Sequence, residues 1–149
     1  MDGKIGIQPA RIEHEQAIYG LMCELEGTEG DRRGFGNVFR ENLGDRDIFY
    51  LIAVRDGCVT GFSSLHMQRL LHHAALIGEI QEIVVSEKCR GQGIGQMLFE
   101  KMRAIAKAAG CIQMEVCCRR ERKRSLDFYQ KMGMACSHFK LCLPLAEDA

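Results

Sequence analysis

The sequence has no net charge of either sign: 20 lysines and arginines balance 20 aspartates and glutamates across 149 residues. A chain-wide electrostatic surface for nucleic acid or acidic lipid is therefore excluded, and only local clusters remain for such a role. It also lacks any apolar run near the roughly 18 residues that a membrane span needs. Met1-Asp2-Gly3-Lys4 has none of the basic-then-apolar layout of a secretory signal. These absences predict a soluble, cytoplasmic chain with neither membrane nor nucleic acid among its partners. The eight cysteines contain no Cys-x-x-Cys pair, so reduced, buried thiols are expected in place of a disulfide framework or a structural zinc. No internal repeat, low-complexity tract or linker interrupts the chain, and a single domain over residues 1–149 is the expectation.

What is present is a core-forming 46% apolar fraction arranged in two periodicities. Ile5 and Ile7 alternate with polar neighbours as in a short strand, which Pro9-Ala10-Arg11 then breaks. Ile18, Leu21, Met22 and Leu25 have the spacing of one helix face, followed by a Gly-rich break over Gly27–Gly34 and a second helix over Phe35–Leu43. Phe49–Val54 reads as a buried strand that turns at Arg55-Asp56-Gly57 into another starting at Cys58-Val59, an antiparallel hairpin. A further strand is predicted over Ala74–Val85, with Gly78 marking a bulge or a close backbone approach. Ile94, Met97, Leu98, Met102, Ile105 and Ala109 step by three and four along a helix over Gly93–Ala109, capped by Gly110. Cys111–Cys118 returns to strand, Ser125–Met132 to helix and Ala135–Leu143 to strand. Hairpins followed by a strand-helix-strand unit predict an α/β or α+β fold with a mixed, mostly antiparallel sheet flanked by helices.

Chemistry concentrates where Ile83-Val84-Val85 ends a strand and Arg90-Gly91-Gln92-Gly93-Ile94-Gly95 opens the long helix. Three alternate glycines leave room for a ligand, and the amides at a helix start favour an anion such as a pyrophosphate. The spacing is neither a Walker loop nor a Rossmann fingerprint. With Phe128-Tyr129-x-Lys131-x-Gly133 about 30 residues later, this arrangement resembles the GNAT family of acetyl-CoA-dependent N-acetyltransferases over nearly the whole chain. The resemblance implies a central sheet with a splayed strand pair. It also implies that Arg90, Gly91, Gln92, Gly93, Ile94 and Gly95 hold the pyrophosphate of acetyl-CoA while the backbone of Ile83, Val84 and Val85 meets the pantetheine arm and the thioester oxygen. Arg119 stands where many members carry an asparagine on the pantetheine, a departure from the family pattern. It opens the cluster Arg119-Arg120-Glu121-Arg122-Lys123-Arg124, which suits coenzyme phosphates or a solvated loop.

Acetyl transfer to an amine requires a base for the ammonium, a polarised carbonyl and an acid for the departing thiolate. The family places a tyrosine at the Phe-Tyr position as the acid, which here is Tyr129. Glu79 and Glu82, in an otherwise apolar strand, are the candidate bases. Alternation puts them on opposite faces unless a bulge intervenes, and Glu79, on the face of Gln81, ranks slightly ahead. Short matches including Cys23-Glu24-Leu25, Asn42-Leu43, Ile77–Glu82 and Ser137-His138-Phe139 resemble the bacterial aminoalkylphosphonate N-acetyltransferases. That likeness implies a small amine bearing a phosphonate, for which Arg32, Arg33, Arg69, His72, His73 and His138 are the available donors. The three histidines equally suit a divalent metal, which stays open, although adjacent His72 and His73 on a strand would face opposite sides. The same caution applies to His66. A homodimer is common in the family. Other small amines (amino acids, polyamines), a non-catalytic acetyl-CoA sensor and a nucleic-acid-binding regulator using Arg119–Arg124 are the competing readings. The absence of helix-turn-helix and zinc-finger spacing weighs against the last.

Overall fold

The computed structural model describes residues 3–146. Contacts divide the chain into two compact units, the first running through Val116 and the second from Cys117 onward. In the first unit, five strands form one sheet in chain order: β1 (Gly6–Pro9), β2 (Ile48–Arg55), β3 (Cys58–Leu70), β4 (Ala75–Val85) and β5 (Gln113–Val116). The first four pair antiparallel and β4–β5 pairs parallel, so the mixed, mostly antiparallel sheet expected from the sequence is what forms. The β2–β3 hairpin turns at Asp56 (φ 51°) and Gly57 (φ 77°), the doubly left-handed geometry for which an Asp-Gly step is suited.

Helices α1 (Glu15–Glu26) and α2 (Arg32–Leu43) cover one face of the sheet. Ile18, Leu21 and Phe39 pack there with Ile52, Phe62 and Val84. Helix α3 (Ile94–Ala108) buries Ile94, Leu98, Phe99 and Met102 against the other face. Gly78 is a close approach and not a bulge: a Cβ there would lie 3.2 Å from Leu65 Cδ1 and 3.5 Å from Ala106 Cβ. The sheet's bulges fall elsewhere. Ser64 opposes Glu82 while Leu65 opposes Ile80, which leaves Gln81 as the extra residue of β4.

Several boundaries differ from the sequence expectation. Pro9 lies inside β1, at the sheet edge where its missing N–H is tolerated. Helix α2 starts at Arg32, three residues before Phe35, because the Asp31 side chain accepts from Gly34 N (3.0 Å) and caps it. Arg32 and Arg33 therefore sit in a first helical turn. The strand predicted over Cys111–Cys118 shortens to β5. None of the eight cysteines is buried; Cys23, Cys89 and Cys111 are half-buried and the rest exposed, all as free thiols.

In the second unit, α4 (Lys123–Lys131) begins two residues before the expected Ser125 and carries the buried Tyr129. The predicted strand over Ala135–Leu143 does not form, since those residues are in no helix or strand. A strand pattern without a neighbouring strand has no ladder for its backbone groups. No helix among the described residues is long and apolar enough to cross a membrane.

Candidate active site

The bulge at Gln81 sets the site. Cross-strand partners share a face, so Tyr50 (β2), Ser64 (β3) and Glu82 (β4) form one row across the sheet, on the side covered by α1 and α2. His66 and its partner Glu79 lie two steps along on the same side. Without the extra residue, alternation would send Glu79 and Glu82 to opposite faces. Beside the bulge, the Ser64 hydroxyl bonds both the backbone and the side chain of Glu82. Ser64 Oγ accepts from Glu82 N (3.2 Å) and donates to Glu82 Oε2, fixing the carboxylate from both ends.

Glu82 forms part of the wall of a half-open cavity of about 440 Å³ bounded by α1, α2 and the sheet. Five rings line it (Tyr19, Phe35, Phe39, Tyr50 and Phe62), all joined in a continuous relay of four contacts with centroids 5.3–5.9 Å apart. Tyr19 Oη donates to Gly30 O (2.7 Å) and Asn42 Nδ2 donates to Tyr50 Oη (2.7 Å), holding two of these rings in place. Glu26 and Asp31 add carboxylates, and no lysine or arginine lines the cavity. Burial pushes the Glu82 carboxyl above the ordinary carboxylate range, and nearby Glu26 adds to the rise; the Ser64 hydrogen bond and His66 oppose it. A carboxylate so placed is a stronger proton acceptor than an exposed one. Burial likewise raises the Tyr50 phenol, against the opposing Asn42 hydrogen bond.

Beyond Ile80, the sheet opens. β5 pairs only with Ile77–Ile80, while β4 continues through Val85. Ser86 N donates to Thr60 O (2.8 Å) and Glu82 N turns to Ser64, so these residues face β3. By alternation, Ile83 and Val85 turn their backbone groups to the open edge. The glycine loop follows: Gly91 (φ 78°) and Gly93 (φ 81°) are left-handed, and a Cβ at either would enter open space. Gly93 caps α3 without any side-chain hydrogen bond, leaving the amides of the first turn, around Ile94 and Gly95, for a ligand. Arg55 Nη1 donates to Gln92 Oε1, tying the loop to the end of β2. An open, amide-lined cradle beside an unpaired strand edge fits a pyrophosphate-containing thioester ligand.

The remaining predicted residues scatter. Arg32 stacks over Tyr19 (5.2 Å) and Phe35 (5.9 Å), two cavity rings, while bonding Glu15 (2.7 Å) and Gln16 (2.9 Å). Arg33 is exposed beside it. Glu79 accepts a hydrogen bond from Gln81 Nε2 and is not part of the cavity wall. His72 and His73 occupy the β3–β4 turn and not a strand, with rings 4.3 Å apart, and His73 Nε2 lies 3.5 Å from Glu115. With Arg69, they sit at the opposite end of that hairpin from Glu82. In the second unit, His138 is exposed and bonds Ser137 (2.6 Å), and Arg119 is exposed ahead of α4. No His, Cys, Asp or Glu cluster suited to a metal occurs among the described residues. Sequence reasoning missed Ser64, Tyr50, Tyr19 and Glu26. The signal for Ser64 was a Ser63-Ser64 pair between the apolar neighbours Phe62 and Leu65 in the middle of a strand, both fully buried.

Comparison with known proteins agrees with this geometry. Residues 14–134 match the acetyltransferase (GNAT) family. The chain is 40% identical over 134 residues, 90% of its length and 87% of the relative's, to an aminoalkylphosphonate N-acetyltransferase of Salmonella typhimurium. An aminoglycoside N-acetyltransferase solved in complex with CoA shares the fold with TM-score 0.87 at 17% identity, covering 97% of this chain and 96% of that one. The glucosamine-6-phosphate N-acetyltransferase of Arabidopsis thaliana does so with TM-score 0.79 at 22% identity, covering 96% and 99%. With the splayed strand pair, the glycine cradle and the family match in agreement, the chain belongs to the GNAT acetyltransferase family and is an N-acetyltransferase.

Proposed function

We propose that this enzyme transfers the acetyl group of acetyl-CoA to the primary amine of a small aminoalkylphosphonate, in one acetyltransferase domain spanning residues 1–149. The observation that carries the amine half of this reading is Glu82: a partly buried carboxylate with raised proton affinity, held by Ser64 on the wall of a half-open cavity, on the strand whose far edge is open. The phosphonate half is supported by the relative in Salmonella typhimurium.

Acetyl-CoA supplies an activated thioester carbonyl when bound. Arg90, Gly91, Gln92, Gly93, Ile94 and Gly95 would hold its pyrophosphate, and the open backbone groups of Ile83 and Val85, flanking Val84, would meet the pantetheine arm and the carbonyl oxygen. The Glu82 carboxylate accepts a proton from the incoming ammonium and so frees the nitrogen lone pair for attack. The aromatic rings pack the acceptor's alkyl stem and exclude water. Tyr129 donates a proton to the departing sulfur, an assignment that rests on the Phe128-Tyr129 motif. Arg32 and Arg33, beside the cavity-lining Asp31 and Gly34, provide the cations for the phosphonate. Arg69, His72, His73, His138 and a divalent metal have no part in this reading.

One observation favours a second acceptor class. The cavity wall carries Glu26, Asp31 and Glu82 and no basic side chain, which suits a dicationic amine of the polyamine type. Thiol release measured with aminoalkylphosphonates, amino acids, polyamines and aminoglycosides side by side separates the two. A kcat/KM highest for the aminoalkylphosphonates is expected, and equal activity toward the corresponding alkylamines would overturn the phosphonate assignment alone.

A further inference from the structure

The end of β2 lies against the start of α3. Gly61 pairs with Ala53, and a Cβ on Gly61 would stand 3.1 Å from Ile94 Cγ2 and 3.2 Å from Leu98 Cδ1, so the helix rests close on the sheet backbone here. Thr60 is the extra residue of β3 at this step. Its hydroxyl donates to Ala53 O (3.2 Å) and its carbonyl accepts from Ser86 N (2.8 Å), which fixes the hairpin to the end of β4. Arg55, two residues beyond Ala53, shares the α3 face by alternation. It is half-buried, and its Nη1 donates to Gln92 Oε1 in the glycine loop, one residue before the Gly93 cap of α3.

This placement is unfavourable for the empty protein. Among the described residues Arg55 makes no ion pair, and its Nε is buried without a hydrogen-bond partner. A buried N–H without an acceptor is costly, and a cation beside a helix N-terminus meets the positive end of the helix dipole. The bond to Gln92, an exposed residue, only replaces one to water. The electrostatic cost changes sign when an anion occupies the loop, because the anion then lies between the helix start and the guanidinium charge.

We propose that Arg55 is a further determinant of coenzyme binding: its guanidinium, anchored behind the glycine loop on Gln92, supplies a fixed positive charge to the pyrophosphate that the loop amides hold. The inference rests on the placement of acetyl-CoA given above. The amides set where the pyrophosphate lies, and Arg55 strengthens its binding through charge, without direct contact. Arg90, the arginine of the loop itself, is exposed, whereas half-buried Arg55 is screened less by salt and solvent.

The test is calorimetric titration with acetyl-CoA, combined with thermal melts of the ligand-free protein. Arg55→Met keeps an unbranched stem and removes both the charge and the unpartnered N–H. Its Kd for acetyl-CoA should rise about tenfold, with the KM for acetyl-CoA rising in step and the KM for the amine not, while its ligand-free melting temperature stays at or above that of wild type. Arg55→Lys should recover most of the affinity. The gap between wild type and Arg55→Met should close as ionic strength rises from about 0.05 to about 0.5 M. Gln92→Ala, which cuts the anchor and keeps the charge, should lose less than Arg55→Met. An unchanged Kd in Arg55→Met overturns the proposal. So does a loss that ignores salt or is matched by Gln92→Ala, which means that Arg55 braces the loop, and so does a lowered ligand-free melting temperature, the mark of a structural residue. Wild-type protein that fails to bind acetyl-CoA removes the placement of the coenzyme, and this inference with it.

Discussion

Replacing Glu82 by Gln keeps the side-chain volume and leaves a carbonyl to accept the Ser64 hydroxyl, but removes the proton acceptor from the cavity. An acceptor amine with a pKa near that of lysine, about 10.4, is neutral in only about one molecule in a thousand at neutral pH. The wild-type enzyme escapes this limit by binding the abundant ammonium and deprotonating it; the variant must wait for free amine. Loss of a positioned general base costs about 10²–10⁴ in rate, so kcat/KM for the amine should fall by about that factor near pH 7. The wild-type value should rise with pH through the raised Glu82 pKa and then level, since the carboxylate must be ionised to accept a proton. The variant's value should instead climb about tenfold per pH unit with the neutral amine, so the deficit narrows steadily toward pH 10. Stability provides the control. A carboxyl raised on folding contributes favourably below its unfolded pKa, and that contribution is lost as pH rises through the folded value, so at neutral pH the ionised group is a burden. Thermal melts near pH 8 should therefore place Glu82→Gln at or above wild type. Steady-state thiol release from about pH 6 to pH 10, run alongside Glu79→Gln, decides the matter: a deficit constant with pH, or a larger loss in Glu79→Gln, would refute the assignment of the base.

Gly93→Asp should abolish detectable acetyl-CoA binding in calorimetry, while Gly93→Asn, equally tolerant of the left-handed backbone but uncharged, should lose far less; equal losses would show that strain and not charge is responsible. Tyr129→Phe should keep acetyl-CoA affinity and lower kcat by a factor of order 10², and wild-type turnover in stopped assays would return Tyr129 to a packing role. Arg32→Ala and Arg33→Ala should each raise the aminophosphonate KM severalfold with acetyl-CoA affinity unchanged, the Arg40–Glu15 bridge (2.6 Å) still holding α2 to α1 in the first variant. Unchanged KM in both would move the phosphonate to another wall. Ser64→Ala should cost kcat while Ser64→Thr retains part of it, because the hydroxyl orients Glu82 without touching substrate; indistinguishable kcat values would show that the orientation does not matter.

Within the site, legibility followed distance along the chain. The glycine loop could be seen because its requirement is local: positive φ at Gly91 and Gly93 and a helix start directly after. The carboxylates were visible as residue types, but their ranking was not, because it depends on the register of β4 against β3. One extra residue at Gln81 moves Glu79 and Glu82 to a common face, and the covering helices then enclose only Glu82 in the cavity wall. Asn42 and Tyr50 are eight residues apart and Ser64 and Glu82 eighteen, so nothing in a local window joins them.

The sequence by itself determined the order of strands and helices through α4, the Asp56-Gly57 hairpin, the apolar faces of α1 and α3 and the left-handed end of α3 at Gly110. Each of these follows from interactions within a few residues: periodicity, turn chemistry and capping. Tertiary structure alone decided the bulge, the placement of His72 and His73 in a turn far along the hairpin from Glu82, and the open edge of β4 beyond Ile80. It also decided that the strand predicted over Ala135–Leu143 does not form. A strand's pattern specifies which side chains share a face, but pairing needs a neighbour's hydrogen-bonding groups, and where that neighbour lies is a property of the assembled sheet.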